Sequence, residues 1–281
     1  MKLYTIETGY FKLDGGAMFG VVPKSLWEKQ NPADQNNMCN WAMRCLLIVD
    51  GDKKILIDNG LGNKQDEKFF SYYYLNGDDT LVKSLAKHGF APEDITDNIL
   101  THLHFDHCGG GVKWNADQSG YAMTFPNAKY HVSAEHWEEA LHPNAREKAS
   151  FLKENILPMQ ASGQLNLIAK DTSPFTNIEL GWVYGHTRAM MLPKIYMPGK
   201  NLIYMADLIP AAFHIPIPWV MGYDMHPLTT MQEKEKYLSA AVEENTILFY
   251  EHDPVTECST VEKTERGYKV KERFALDTLI A

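Results

Sequence analysis

Three histidines and an aspartate lie within six residues of this sequence, at His102, His104, Asp106 and His107 in the segment ILTHLHFDHCGGG. They follow a short apolar run at 98–101, so we expect them where a strand ends and a loop begins. Side chains alternate along an extended backbone, so His102 and His104 should face the same side, while Asp106 and His107 follow the turn. Imidazole and carboxylate are preferred ligands of borderline metals such as zinc, and the glycines at 109–111 allow close backbone approach. The motif predicts a metal site.

Three other apolar runs end in residues that can bind metal. They are LGWVYGHT, which ends at His186, NLIYMADL at Asp207 and ILFYEHD at His252. Functional groups gather at the carboxyl ends of strands in α/β sheets, because the loops there converge on one crevice. Four strand ends would supply five histidines and two aspartates, enough for two metals that share one carboxylate. Such a set is typical of a dinuclear hydrolase.

The other histidines that we considered lack this spacing or this position after a strand, and we interpret them as structural or solvated. They are His131, His136, His142, His214 and His226.

Strands and helices that alternate along the chain must position these side chains. CLLIVDGDKKILIDNG predicts a hairpin around Asp50, Gly51 and Asp52, and STVEKTERGYKVKERF predicts another near the carboxyl end. Thr229 with Gln232 three residues later resembles a capping box before a long amphipathic helix. This order predicts an α/β fold with a mixed sheet. Since no linker is evident, we expect one domain over residues 1–281.

Composition excludes several classes of protein. The formal charge is 27 − 36 = −9, which disfavours nucleic acid as a partner. No apolar run reaches the length of about 18 residues that a membrane-spanning helix needs, so no membrane partner is expected. The amino end reads as a strand rather than an export signal, and the four cysteines make no CxxC pair. These features predict a soluble, cytoplasmic protein with reduced thiols.

Taken together, HxHxDH, the His of GHT, the Asp of MADL and the His of YEHD resemble the metallo-β-lactamase superfamily in its dinuclear form. The resemblance extends from LDGGAMFGVVPKSLWEK through WVMGYDMHPLTT to VEKTERGYKV. It implies an αβ/βα sandwich, with two mixed β-sheets face to face, helices outside and metals at one edge. Within the family, the chain most resembles the lactonases that open acyl-homoserine lactones and the organophosphate (methyl parathion) hydrolases.

The resemblance also implies roles for individual residues. The first metal would be held by His102, His104 and His186, and the second by Asp106, His107 and His252, with Asp207 bridging the two. The cofactors would be two divalent ions, zinc first, with manganese, iron or cobalt also compatible. A hydroxide shared by the ions would attack a carbonyl or phosphoryl centre, and Asp106 would orient it and take its proton.

One position departs from the lactonase pattern. Lactonases of this kind carry a tyrosine three residues after the bridging aspartate, and Pro210 stands there in this sequence. Tyr223, from a neighbouring loop, is our candidate for the missing hydroxyl, and a buried packing role is its alternative. An apolar substrate pocket is expected from nearby residues, with core packing or a dimer contact as alternatives. The pocket candidates are Met18, Phe19, Phe213, Trp219, Met221 and Tyr223.

The leading function is hydrolysis of a small ester, lactone or phosphotriester. A glyoxalase-type thioester hydrolase uses the same seven ligands, but it would need a basic patch that is not evident near the carboxyl end. A tRNA-processing endonuclease shares the motif but is disfavoured by the acidic charge. A non-catalytic metal-binding protein on the same scaffold is the remaining alternative. The aromatic-rich segments and the resemblance also favour a homodimer.

Overall fold

Two six-stranded mixed sheets form the framework of the computed structural model, which describes residues 1–279. The first sheet has the strand order β1-β2-β3-β4-β7-β8, and its strands are Lys2–Asp14 (β1), Met38–Asp50 (β2), Lys53–Ile57 (β3), Asp97–Ile99 (β4), Lys129–Ser133 (β7) and Leu165–Ile168 (β8). A separate two-stranded ribbon pairs Val112–Trp114 (β5) with Tyr121–Met123 (β6). Strands β3, β4, β7 and β8 run parallel, so their carboxyl ends meet at one edge of the sheet.

The second sheet has the order β14-β13-β12-β11-β10-β9. Its strands are Ile178–Val183 (β9), Met190–Met197 (β10), Lys200–Tyr204 (β11), Ile247–Phe249 (β12), Cys258–Thr264 (β13) and Gly267–Phe274 (β14). Only β11 and β12 are parallel among its described pairs, and the other pairs are antiparallel. The mixed sheets match the prediction from sequence.

Helices connect and flank the sheets. They are Gly15–Phe19 (α1), Lys24–Trp27 (α2), Glu67–Ser71 (α3), Leu81–Lys87 (α4), Phe105–Cys108 (α5), Ala134–Leu141 (α6), Lys153–Ala161 (α7) and Pro227–Glu244 (α8). Across residues 1–279, no helix combines the length and the apolar character needed to cross a bilayer.

The central strands are apolar on both faces because each face packs against a different layer. In β2, Leu46 and Ile48 belong to the core between the two sheets, where they join residues of the second sheet such as Leu202 and Leu248. The alternate residue Leu47 packs with helix residues on the outer side. Since successive side chains in a strand point to opposite faces, a continuous run such as CLLIV is what a strand covered on both faces requires.

The structure confirms the first hairpin and corrects the start of the long helix. Asp50 pairs with Lys53 across the turn, as the sequence predicted. The long helix begins at Pro227 rather than after Thr229, and His226 is its N-cap residue. Proline at the first helical position lacks the N–H that would otherwise be unsatisfied, so it starts the helix one turn earlier than the capping-box pattern suggested.

The buried carboxylate of Asp97 links three parallel strands and should stabilise the fold. Asp97 in β4 contacts Lys53 of β3 and His131 of β7, each at 2.8 Å. Burial disfavours its charged form, but the hydrogen bonds from His131 and Lys53 outweigh burial and hold the pKa of Asp97 well below its usual range. Its folded-state pKa is lower than the unfolded value of about 3.9, so the stabilisation is complete above that pH and is lost as the pH falls towards the folded pKa.

We therefore expect Asp97→Asn to lower the free energy of unfolding by about 1.5–3 kcal/mol at pH 7, the range for hydrogen bonds to charged groups. Urea denaturation at a series of pH values should show the difference from wild type narrowing between about pH 5 and 3. Asp52→Asn, at an exposed position in the neighbouring turn, is the control. If the difference in the free energy of unfolding between Asp97→Asn and wild type does not change with pH, the charge of Asp97 is not the source of the stabilisation.

Candidate metal centre and active site

The seven residues predicted as ligands all lie just beyond the carboxyl ends of four strands, and all are buried. His102 and His104 follow β4, and the next residues form the short helix α5, which carries Asp106 and His107. The remaining three come from the second sheet: His186 follows β9, Asp207 lies in the 3₁₀ turn after β11, and His252 follows β12. The structure thus brings together groups that are far apart along the chain.

One group of donors consists of His102, His104, His186 and Asp207, whose ligand atoms lie within 4.8 Å of one another. His104 Nδ1 lies 3.0 Å from His102 Nε2 and 3.2 Å from His186 Nε2. Asp207 Oδ2 lies 3.1 Å from His186 Nε2. These nitrogen and oxygen atoms point at a common centre, which is the arrangement that a His/Asp metal site requires.

The second group consists of Asp106, His107 and His252. His107 Nε2 and His252 Nε2 are 3.2 Å apart, and each lies 3.7 Å from Asp106 Oδ2. Asp207 stands between the two groups, since its Oδ1 is 3.2 Å from His252 Nε2 while its Oδ2 faces the first group. Asp207 Oδ1 is buried without a hydrogen-bond partner among the described residues, although a carboxylate oxygen needs one. The donor set and this orphaned oxygen fit bound cations.

Buried carboxylates make the centre attract positive charge. Burial opposes protonation of His186, but Asp207 and Asp224 outweigh it and raise the pKa of His186 to about 10. Burial likewise opposes protonation of His252, and Asp207 raises its pKa to about 9. By contrast, burial and the neighbouring imidazoles hold the pKa of His102 well below its usual range. The protein therefore presents a buried negative charge that protons or metal ions must neutralise.

The outward-facing nitrogens of two histidines are held by acceptors outside the centre. His186 Nδ1 donates to Asp224 Oδ1 at 2.9 Å, and His252 Nδ1 donates to the carbonyl of Ala42 at 2.7 Å. Each bond holds the ring so that Nε2 faces the centre, where it can bind a metal ion in place of its proton.

Two further carboxylates surround His107, and a third lies beside His104. His107 Nδ1 is 3.1 Å from Asp58 Oδ2 and 2.9 Å from Glu251 Oε2, while His104 Nε2 is 3.5 Å from Glu147 Oε1. Burial raises the pKa of Glu251 to about 8, against the opposing effect of His107.

Sequence reasoning missed these outer carboxylates. Asp58 directly follows β3 and Glu251 lies two residues after the end of β12, so the same rule about strand ends could have found them. Asp224 and Glu147 lie in loops with no such pattern.

The glycine run after the motif allows the chain to turn tightly beneath the centre. A Cβ on Gly109 would lie 2.1 Å from the carbonyl oxygen of Leu61, and one on Gly110 would lie 2.1 Å from that of Asn59. No side chain fits at either position. In the segment after β11, Ala206 has φ +42°, a left-handed conformation that costs a non-glycine residue about 1 kcal/mol. This strained residue immediately precedes Asp207.

A cavity of about 430 Å³ opens over the centre and exposes both groups to it. Its walls are largely apolar and include Leu13, Met18, Phe105, Ala149, Met221 and Met225. Polar groups in the lining are Arg146, Glu147, Ser150 and the tyrosines Tyr73 and Tyr223. Such a cavity suits a small, mostly apolar ligand that is oriented by a few polar contacts.

Three of the six residues predicted for the pocket, Met18, Met221 and Tyr223, line this cavity. The prediction is wrong for Phe19, Phe213 and Trp219, which pack instead in an aromatic cluster behind the wall. Phe19, for example, is fully buried and stacks on the ring of His214 at 4.9 Å. The sequence pattern does not show which side chains of an aromatic-rich loop face the cavity and which pack against the core. The folded structure shows this directly.

The position that departs from the lactonase pattern contributes only its backbone. The carbonyl of Pro210 accepts a hydrogen bond from the His252 amide at 3.0 Å. Tyr223, which is 37% exposed, and Tyr73, which the sequence did not suggest, line the cavity instead. Burial raises the pKa of Tyr73 to about 12 and raises that of Tyr223 further, so both hydroxyls stay protonated at neutral pH.

A His/Asp cluster at the strand ends of a two-sheet sandwich is typical of a class of metal-binding proteins. Comparison of the chain with known protein families identifies which family it belongs to. The model of the metallo-beta-lactamase superfamily matches residues 44–252. The chain belongs to this superfamily, and the predicted αβ/βα fold is confirmed.

Known relatives agree with this assignment. An N-acyl homoserine lactonase of Bacillus thuringiensis is 25% identical over 267 residues, which cover 90% of this chain and 93% of that protein. A probable metal-dependent hydrolase from Staphylococcus aureus superimposes with a TM-score of 0.88 at 29% identity, covering 97% and 96% of the two chains. The dizinc quorum-quenching lactonase AidC, solved with the product N-hexanoyl-L-homoserine, has a TM-score of 0.78 at 22% identity, covering 97% and 95%.

The outer carboxylate Asp224 provides a test of how the centre is held. Asp224→Asn should lower the affinity for zinc by about 10–100-fold. The asparagine amide orients the His186 ring less firmly than the carboxylate does, and the substitution removes a negative charge beside it. Competition titration against a chromogenic chelator measures this change. Glu138→Gln, at an exposed position on α6, should bind zinc as wild type does. Equal affinities for the two variants would remove Asp224 from any role in supporting the ligands.

Proposed function

We propose that this superfamily member is a dinuclear metal-dependent hydrolase that cleaves small ester-type bonds, with a neutral lactone as its leading substrate class. The convergence of seven buried donors on the floor of an apolar cavity, with Asp207 between two groups, is the observation that carries the proposal. The homoserine lactonase relatives favour a lactone among ester-type substrates.

The residues that would hold the first ion are His102, His104 and His186, and those for the second are Asp106, His107 and His252, with Asp207 shared. Zinc suits this donor set, and manganese, iron or cobalt would also be accepted. When bound, two such cations lower the pKa of a shared water towards neutrality and stabilise negative charge on the reacting carbonyl oxygen.

The chain's own residues supply the remaining functions. Asp106 reaches the cavity, where its carboxylate can orient the attacking water and accept its proton. The hydroxyl of Tyr223 can donate a hydrogen bond to the substrate carbonyl or to the leaving oxygen, in place of the tyrosine that is absent at position 210. The apolar wall excludes bulk water, which strengthens both interactions.

The alternative of a glyoxalase-type thioester hydrolase receives less support. Glutathione thioesters carry carboxylates, and their recognition calls for clustered cations near the centre. Among the described residues that line the cavity, Arg146 is the single lysine or arginine. Its guanidinium is already hydrogen-bonded to the carbonyl of Gly222. The same cavity fits a neutral substrate without such a cluster.

A substrate panel tests the proposal directly. We expect the zinc-loaded protein to bind about two ions per chain and to hydrolyse lactones faster than aryl esters, phosphotriesters or thioesters. Chelation should abolish activity, and zinc, manganese or cobalt should restore it. Asp207→Ala should reduce kcat/KM by more than about 10³-fold, since a shared ligand serves both ions.

The metal content measured by plasma emission spectrometry separates the alternatives. One ion per chain with full activity would refute the dinuclear proposal. Inactivity towards all four substrate classes in protein that holds two ions would favour the non-catalytic metal-binding alternative.

The hydroxyl at the cavity wall gives a second test. Tyr223→Phe should lower kcat by about 10–100-fold while leaving zinc content unchanged, because it removes one hydrogen bond to the reacting oxygen. Steady-state kinetics on the preferred substrate measures this, with Tyr72→Phe at an exposed position as control. If Tyr73→Phe produces the loss and Tyr223→Phe does not, the hydroxyl belongs to Tyr73 and our assignment of Tyr223 is wrong.

A further inference from the structure

A lysine on the long helix α8 is completely buried, and none of the proposed catalytic steps uses it. Lys234 is 0% exposed, and its Nζ donates to the carbonyls of Pro216, Ile217 and Trp219 at 2.8, 3.2 and 2.8 Å. An ammonium has three donors, so these three acceptors satisfy it completely. No carboxylate lies within ion-pair distance of this amine in the part of the chain that the structure describes.

The three carbonyls belong to one turn, and that turn leads directly into the cavity wall. Met221, Gly222 and Tyr223 line the cavity, only two to four residues beyond Trp219. Three carbonyl oxygens that converge on one point repel each other, since each carries partial negative charge. Lys234 Nζ donates a hydrogen bond to each of the three, so the helix holds these carbonyls together from behind the wall.

Two side chains and several backbone contacts attach the rest of the wall: Arg146 donates to the Gly222 carbonyl, and the Met221 amide donates to Asp224 Oδ2 at 3.2 Å. The Gly222 amide donates to the Ala17 carbonyl at 2.8 Å, and the Met225 amide donates to the carbonyl of His186 at 3.1 Å. These contacts tie the far end of the wall to the amino-terminal segment and to the centre. Within the 216–219 turn, the Trp219 amide donates to the Pro216 carbonyl at 2.9 Å, and Lys234 supplies the hydrogen bonds that join the turn to α8.

We propose that Lys234 is a positioning residue for substrate binding: its ammonium holds the 216–219 turn so that Met221 and Tyr223 face the cavity. The expected effect of Lys234 on catalysis rests on the proposed function, whereas its expected effect on the 216–219 turn does not. Because the seven proposed ligands come from other segments, we expect the zinc content to stay unchanged. The expected signature is therefore a rise in KM and a fall in kcat at full zinc content.

Lys234→Met in the full-length, zinc-loaded protein tests the proposal, with Lys236→Met as the matched control. Lys236 lies two residues further along the same helix and is exposed, so its variant removes the same charge without touching the turn. Hydrogen–deuterium exchange should become about tenfold faster in residues 212–223 of Lys234→Met, and elsewhere it should match wild type. Zinc should stay at two ions per chain.

Kinetics on the preferred substrate should show KM raised about tenfold, because Met221 is displaced, and kcat lowered about tenfold, because the Tyr223 hydroxyl no longer faces the reacting oxygen. Unchanged exchange in 212–223, or faster exchange spread over the whole chain, would overturn the proposal. If wild-type protein hydrolyses no ester at all, the proposed function fails, and the exchange result still decides the role of Lys234.

Should Lys234→Met not fold, Lys234→Gln replaces it, since its amide retains two donors without the charge. A smaller increase in exchange, again confined to 212–223, is then expected. Failure of both variants to fold would also overturn the proposal, because Lys234 would then support the whole fold rather than this turn.

Discussion

The structure depends on one electrostatic constraint, which is that two carboxylates and five imidazoles are buried together at the edge where the two sheets meet. Asp207 lies between the histidines, and its negative charge raises the pKa of His186 and His252 well above the usual value. A buried carboxylate without a partner is costly, so positive charge must accompany it. Superfamily membership and the donor set both indicate metal ions for this role.

Much of the surrounding chain serves to keep those donors facing inward. Acceptors such as Asp224 and the Ala42 carbonyl orient imidazole rings from behind. Close backbone approach at Gly109 and Gly110, together with the strained conformation of Ala206, places the loops where the donors can meet. These features reduce conformational freedom and add strain, and such costs persist at functional sites because the rest of the fold holds them in place.

The residues that line the cavity above the centre are held in place differently from the donors. The cavity wall consists largely of apolar loop segments, which are held by backbone contacts, by the side chains of Arg146 and Asp224, and by the buried Lys234. Lys234 acts from the long helix, which also positions the strand end before His186, since Glu233 accepts hydrogen bonds from the amides of Tyr184 and Gly185. One helix therefore supports both the metal side and the substrate side of the cavity.

The sequence alone was enough to predict the family and the seven side chains that the structure brings together, because ligand chemistry requires particular residue types and the strand-end rule places them at one edge. It also determined the mixed α/β architecture, since apolar runs such as CLLIV show which strands are covered on both faces. Only the tertiary structure decided which outer carboxylates face the histidines, which aromatic residues line the cavity, and that Tyr73 reaches it. Those properties depend on contacts between segments far apart in the chain, and no local pattern of residue types encodes such contacts.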